Sequence, residues 1–162
     1  MLLLNIPHRR QQRESDCLVA CAAMVLDYLQ VPIRYDRLYK LLRAQPFGTP
    51  FRNIRFLKSL GLAVSIIDGQ VEALQDYLES GLPILVSVTT GGWKYWGGEE
   101  TDHVVLVTGL DLKRSVLYLH DPFFEDAPKE LTLADFELAW IEKEYLCASD
   151  PTLWHGRVET RG

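Results

Sequence analysis

The spacing of apolar residues changes near residue 62, and this change constrains the fold more than any other feature of the sequence. Before it, apolar residues recur at steps of three and four, the period of a helix with one buried face. Helices are therefore predicted over residues 16–29, 35–44 and 53–60, after a short extended segment over 2–6. After it, strands are predicted over 62–67, 82–88, 103–108, 115–119 and 144–148, with helices over 71–80 and 133–140. Helices first and strands second predict an α+β domain over residues 1–150, followed by a polar tail over 151–162.

The first predicted helix has an apolar face and a thiol at its start. Ser15 or Asp16 is expected to cap the helix, which places Cys17 beside unpaired backbone N–H groups. Such a position favours a thiolate. The residues expected on the buried face are Leu18, Cys21, Ala22, Val25, Leu26 and Leu29.

Composition and charge exclude several classes of protein. The 162 residues are 48% hydrophobic and 24% charged, as in a soluble globular domain. A net charge of −5 argues against binding to nucleic acid or to an anionic membrane surface. The apolar N-terminus is too short for a signal peptide, and no run could cross a bilayer. Three cysteines are too few and odd in number for a disulfide framework, so a cytoplasmic protein with reduced thiols is predicted. No cofactor is predicted.

Four residues supply the parts of a thiol-based acyl-transfer site. Cys17 would be the nucleophile, and His103, which opens a predicted strand, would be the general base. Asp121 directly follows the next strand and would orient the imidazole, while the Gln11 amide would donate to the oxyanion. A turn at 111–114 would make the two strands a hairpin, so that the ends carrying His103 and Asp121 lie side by side.

The other thiols and histidines have plainer interpretations. Cys21 lies on the apolar helix face and Cys147 in the closing strand, so both are expected to be buried. The pair Cys17 and Cys21 has no second pair of ligands, which disfavours zinc. The remaining histidines are His8, expected at the surface, His155, in the tail, and His120, which alternation places on the strand face opposite to Asp121.

The loop over residues 90–100 is rich in glycine and tryptophan and directly precedes His103. Its position allows it to form a wall or lid of the cleft. Alternatively, its tryptophans pack on the body of the domain, and the sequence does not decide between the two.

The sequence resembles the bacteriocin-processing cysteine peptidases, papain-like domains that cut leader peptides after a double glycine. The likeness rests on five elements in register: 11–29 with its Gln-x4-Asp-Cys pattern, 48–62, 78–83, the strand that begins at His103, and 120–122. It implies a papain-like fold with a helical half and a twisted antiparallel sheet. It also implies the roles given above to Cys17, His103, Asp121 and Gln11, with Gln12 as an alternative to Gln11.

Two departures from that family affect the expected function. Leu18 follows the nucleophile where the family usually has glycine, and its larger side chain is expected to narrow the cleft or to reshape the approach of the substrate. No exporter segment is present, so the expected partners are a peptide or protein substrate and a separate exporter or other protein that delivers it.

The leading prediction is a peptidase that works through a thioester. The same parts would also serve an acyl transferase or a deamidase, because these differ only in the nucleophile that reaches the thioester. A non-catalytic peptide-binding module is the third alternative.

Overall fold

The computed structural model describes residues 1–141 and 146–149, and of residues 67, 68, 141 and 146–149 only the backbone. The helices are α1 (Cys17–Leu29), α2 (Tyr35–Leu41), α3 (Val71–Glu79) and α4 (Leu133–Ile141). Three 3-10 helices span Phe51–Leu60, Thr90–Gly92 and Lys94–Trp96. The strands are β1 (Leu2–Leu3), β2 (Ser65–Asp68), β3 (Ile84–Thr89), β4 (Asp102–Asp111), β5 (Val116–His120), β6 (Lys129–Thr132) and β7 (Leu146–Ser149). The predicted polar tail, with His155, lies outside the described residues.

All seven strands form one antiparallel sheet in the order β2-β7-β3-β4-β5-β6, and β1 pairs with the second half of β4. The predicted hairpin is confirmed, since β4 and β5 are adjacent and antiparallel. Strand β6 was not predicted, because its short sequence Lys-Glu-Leu-Thr has one buried side chain and lies at the edge of the sheet.

Helices cover both faces of the sheet, which explains why its central strands are almost continuously apolar. Along β4, Val104 and Leu106 pack with α1, α2 and the helix 51–60. Val105 and Val107 pack on the opposite face with α3 and α4. The apolar run of β3 is covered in the same way, because Leu85 packs with the first of these groups and Ile84, Val86 and Val88 pack with the second.

The central helix α1 is buried on almost every side, and the prediction of a single buried face was too narrow. Val19, Ala20, Ala23 and Met24 are as buried as the residues of the predicted face, because α1 lies between β4 on one side and α2 with the helix 51–60 on the other. An apolar helix with no polar face is typical of such a position.

The prediction that a side chain caps α1 by accepting a hydrogen bond from the helix N–H groups is wrong. Asp16 occupies the cap position but makes no side-chain bond to the helix N–H groups. Its carboxylate instead accepts hydrogen bonds from the hydroxyl of Tyr35 and the backbone N–H of Arg13. Asp16 therefore ties the loop before Cys17 to α2.

Three predicted boundaries also change. The second helix ends at Leu41 rather than 44, and Arg43 adopts a left-handed conformation with φ 55°. The third begins at residue 51 and is a 3-10 helix rather than an α-helix. The first strand after the period change begins at residue 65 rather than 62.

Candidate active site

Cys17 is the first residue of α1 and lines a cleft of about 670 Å³. Its side chain is partly exposed, whereas the rest of the helix is almost entirely buried. The backbone N–H groups at a helix start have no partner within the helix, so the thiol sits at the positive end of the α1 dipole. The helix therefore presents its single reactive group to solvent at the cleft.

His103 lines the same cleft and joins Cys17 to Asp121. The imidazole Nε2 lies 2.7 Å from Oδ1 of Asp121, and the thiol of Cys17 lines the same cleft as the ring. His103 lies near the start of β4, and Asp121 directly follows β5, so the hairpin sets their separation. The structure thus brings three of the four predicted site residues together.

The surroundings of His103 favour its protonated form. Burial alone lowers the pKa of His103, but the hydrogen bonds and charges of Asp121 and Cys17 outweigh burial and raise the pKa to about 9. The ring is therefore an imidazolium at neutral pH.

Asp121 is completely buried, and each of its oxygens accepts two hydrogen bonds. Oδ1 accepts from His103 and from the backbone N–H of Phe123 (3.0 Å). Oδ2 accepts from the hydroxyl of Tyr95 (2.8 Å) and the indole N–H of Trp96 (2.9 Å). Burial by itself raises the pKa of Asp121, but the contacts with His103 and the other donors outweigh it and hold this pKa below its ordinary value.

Tyr95 and Trp96 are parts of the site that were not predicted from the sequence. The only signal was the density of aromatic residues before His103, and both interpretations of that loop are partly correct. Trp96 forms a wall of the cleft and packs edge-on against His103, with ring centroids 5.0 Å apart. Trp93 instead packs in the core, where its indole N–H donates to the carbonyl of Asp135. The two 3-10 turns replace the predicted irregular loop.

Gln11 is near the site but does not face the cleft. Its backbone N–H donates to the carbonyl of Pro122 at 2.8 Å, which places it beside the loop after Asp121. Its side-chain amide N–H₂ donates to the carbonyls of Arg13 and Glu14. In this conformation neither N–H is directed at an oxyanion next to Cys17, so the oxyanion role of Gln11 stays a prediction that requires the amide to turn.

Leu18 does not narrow the cleft, contrary to expectation. Its side chain is buried in the core on the α1 side of the sheet and is absent from the cleft wall. Cys21 is buried as predicted, and burial, followed by the charges of Cys17 and Asp121, raises the pKa of its thiol. Cys147 lies in β7, and its side chain is outside the described part of the chain.

The two other histidines in the described part of the chain pack against each other away from Cys17. The rings of His8 and His120 lie 5.3 Å apart. His120 is buried and hydrogen-bonds to Thr108 and to the carbonyl of Ile6. His8 is not the surface group that was expected, because it is half-buried and its Nε2 bonds to the carbonyl of Phe124. These histidines fasten the N-terminal segment to β5 and the loop after it.

The resemblance to leader peptidases predicts this arrangement: Cys17 and His103 at one cleft, with the buried Asp121 bonded to His103, in a domain of helices packed against an antiparallel sheet. The profile of the family described as "Peptidase_C39 like family" matches residues 3–148. The chain therefore belongs to this family of peptidase-like proteins. A search of curated proteins by sequence gave no match.

Solved structures confirm the fold. A protein from Bacillus anthracis described as a C39-like peptidase superposes with a TM-score of 0.73 at 16% identity, covering 92% of this chain and 96% of the other. A double glycine motif protease of an AMS/PCAT transporter, in complex with its leader peptide, gives 0.71 at 17% identity, with 93% and 94% covered. The peptidase domain of Streptococcus ComA, a bifunctional ABC transporter of a quorum-sensing pathway, gives 0.71 at 21% identity, with 94% and 100% covered. The predicted α+β, papain-like fold is thus confirmed.

In the described part of the chain, no helix is both long enough and apolar enough to cross a membrane.

Proposed function

We propose that this protein is a thiol peptidase in which Cys17 is the nucleophile, His103 the general acid and base, and Asp121 the group that orients His103. The observation that carries this proposal is the position of His103, which lines one cleft with the Cys17 thiol and lies 2.7 Å from the buried carboxylate of Asp121. The membership of the chain in a peptidase-like family supports it.

The proposed reaction has two stages. The Cys17 thiolate attacks the scissile carbonyl, and as the C–N bond breaks, the imidazolium of His103 gives its proton to the leaving amine. The product of this stage is a thioester with the acyl half of the substrate. His103, now neutral, takes a proton from water, whose oxygen attacks the thioester and releases the acid and the Cys17 thiolate, so that the thiolate and the imidazolium are restored. Asp121 keeps its charge throughout and stabilises the imidazolium.

The proposed substrate is a peptide, and a leader peptide cut after a double glycine is the first candidate. It is suggested by the structural neighbours, one of which is a double glycine motif protease bound to a leader peptide. A separate exporter or another partner protein would deliver the substrate, and the cytoplasm is the compartment we propose. Peptides ending in Gly-Gly ahead of the cut, compared with Gly-Val controls, test this assignment directly.

The first experiment measures alkylation of Cys17 by iodoacetamide against pH, with the modified residue identified by mass spectrometry. We expect labelling to be fast at pH 6 in the wild type and to require a pH of about 8 or above in His103→Ala, as for an ordinary thiol. His120→Gln is the matched control, because it removes the other buried imidazole. Loss of low-pH reactivity in His120→Gln, but not in His103→Ala, would contradict the assignment of the base.

Cleavage itself is tested with Cys17→Ala. This variant should keep the wild-type circular dichroism spectrum, since the apolar residues of α1 remain, and it should cleave no peptide that the wild type cleaves. Activity retained by Cys17→Ala would exclude Cys17 as the nucleophile.

A further inference from the structure

We propose that Tyr95 and Trp96 are positioning residues of this site, which hold the second oxygen of Asp121 so that its first oxygen stays directed at His103. The proposal rests on the proposed function for its consequence in catalysis. Its structural part, the control of His103 through Asp121, can be tested without any substrate.

The need for such residues follows from the burial of Asp121. A carboxylate with no solvent contact is costly unless its lone pairs are satisfied. His103 and the Phe123 N–H satisfy Oδ1, but they would leave Oδ2 without a partner. Tyr95 and Trp96 supply both missing donors, at 2.8 and 2.9 Å.

The two donors also restrict rotation of the carboxylate. With donors on one oxygen only, the group can turn about its Cβ–Cγ bond and lose its alignment with His103. Donors on both oxygens fix the plane of the carboxylate. They come from β4 and the loop before it, and from the loop after β5. Alignment of this kind is what a general base requires of the group that orients it.

Each donor remains available across the working pH range. Burial raises the pKa of the Tyr95 hydroxyl, and the charge and hydrogen bond of Asp121 raise it further, so Tyr95 stays protonated. The indole N–H of Trp96 does not titrate. Trp96 also packs against the ring of His103 and lines the cleft beside it.

The backbone of the loop is shaped to place these residues. Tyr95 and Trp96 end the 3-10 turn Lys94–Trp96, and Gly97 follows with φ 68°, a left-handed conformation that glycine adopts without strain. The chain can therefore reverse directly after Trp96 and return to His103 in β4. Tyr95 and Trp96, which are consecutive, thus reach Asp121 from the loop that leads into His103.

The test compares Tyr95→Phe and Trp96→Phe with Trp93→Phe. Each of the first two removes one donor to Oδ2 and keeps an aromatic ring. Trp93→Phe is the matched control, because it removes a buried indole of the same loop whose N–H donates to Asp135 instead. If Trp96→Phe fails to fold, Tyr95→Phe still decides the question, because it removes a single hydroxyl.

The readout is the titration of the His103 imidazole by NMR, together with the pH profile of Cys17 alkylation. We expect the pKa of His103 to fall by roughly 0.5–1 unit in Tyr95→Phe and Trp96→Phe, and the basic limb of the alkylation profile to move with it. Trp93→Phe should keep the wild-type value even if it unfolds at lower temperature.

An unchanged His103 titration in both variants would overturn the proposal and leave the peptidase assignment intact. A shifted titration in a protein whose Cys17 shows no low-pH reactivity would have the opposite meaning. In that case the positioning role would stand, and the peptidase assignment would fall.

Discussion

Asp121 is the residue on which the geometry of the site depends most. It is buried, it accepts four hydrogen bonds, and its hydrogen bond with His103 is the main reason that the pKa of His103 is raised despite burial. Its neighbours include a backbone N–H, a hydroxyl and an indole N–H, all of them donors. A side chain that must itself donate cannot replace it without leaving one of these groups unpaired.

Asp121→Asn tests this dependence with almost no change in size. The donors Tyr95 and Trp96 will select the amide oxygen, which turns the amide N–H₂ toward His103 and the Phe123 N–H. We expect the pKa of His103 to fall from about 9 toward its ordinary 6.5, because a negative charge and an acceptor are both lost. Thiol labelling at pH 7 should slow by about tenfold or more.

NMR titration of His103 and alkylation rates measure both effects. Asp126→Asn is the control, because this substitution makes the same chemical change at an exposed residue five positions later. A His103 titration that is equal in Asp121→Asn and Asp126→Asn would show that the carboxylate does not set the state of the imidazole.

At the scale of elements, the N-terminal segment holds the loop that carries Asp121. Strand β1 pairs with β4, and the Leu4 N–H donates to the carbonyl of Thr108. Farther along, the Ile6 carbonyl accepts from His120, and the Gln11 N–H donates to Pro122. The segment before α1 therefore crosses the end of β5 and connects the thiol side of the cleft to the carboxylate side.

Gly109→Ala should loosen this attachment. A β-carbon on Gly109 would lie 2.7 Å from the carbonyl oxygen of Leu2 and 2.8 Å from the Leu3 side chain, so β1 has to move away from β4. We expect a loss of about 1–3 kcal/mol in the free energy of unfolding, measured by urea denaturation, and faster amide exchange at Leu4.

Gly92→Ala is the matched control, because a β-carbon there meets nothing within 4 Å. If both variants unfold at the same urea concentration and Leu4 exchanges at the wild-type rate, β1 does not depend on the close approach at Gly109.

At the scale of the whole molecule, and apart from the His103 imidazolium, the charged side chains that line the cleft are acidic. Glu14, Glu99 and Asp102 line the cleft, and among the described residues no lysine or arginine does. The net charge of −5 adds a weaker field of the same sign. Such a cleft attracts cations and repels anions, more strongly at low ionic strength.

Charged thiol reagents measure this field at Cys17. The trimethylammonium-ethyl methanethiosulfonate should label Cys17 about fivefold or more faster than the sulfonatoethyl reagent at low salt, relative to their ratio with a free small thiol. The double variant Glu14→Gln, Glu99→Gln should remove most of this preference. Glu72→Gln with Asp126→Asn removes two charges that do not line the cleft and should leave it. Equal preferences in both double variants would show that the rim carboxylates do not set the field.

Much of the fold follows from local pattern. The period change near residue 62, the apolar runs and the turn after β4 predicted the order of elements and the hairpin, because these depend on residues close together in the chain. Strand β6 was missed, since a four-residue edge strand has too few buried positions to show a period. Leu18 is buried as the helix period predicted, and the expectation that it narrows the cleft was wrong, because its side chain packs in the core on the α1 side of the sheet.

The sequence by itself determined the thiol at a helix start, the histidine and acid on neighbouring strands, and the family to which these belong. Only the tertiary structure decided what surrounds them: the donors from Tyr95 and Trp96 on Asp121 and the orientation of Gln11. The physical reason is that helix periods and hairpins arise from short-range spacing, whereas a hydrogen bond between residues 25 positions apart or more exists only after the sheet and its loops have packed.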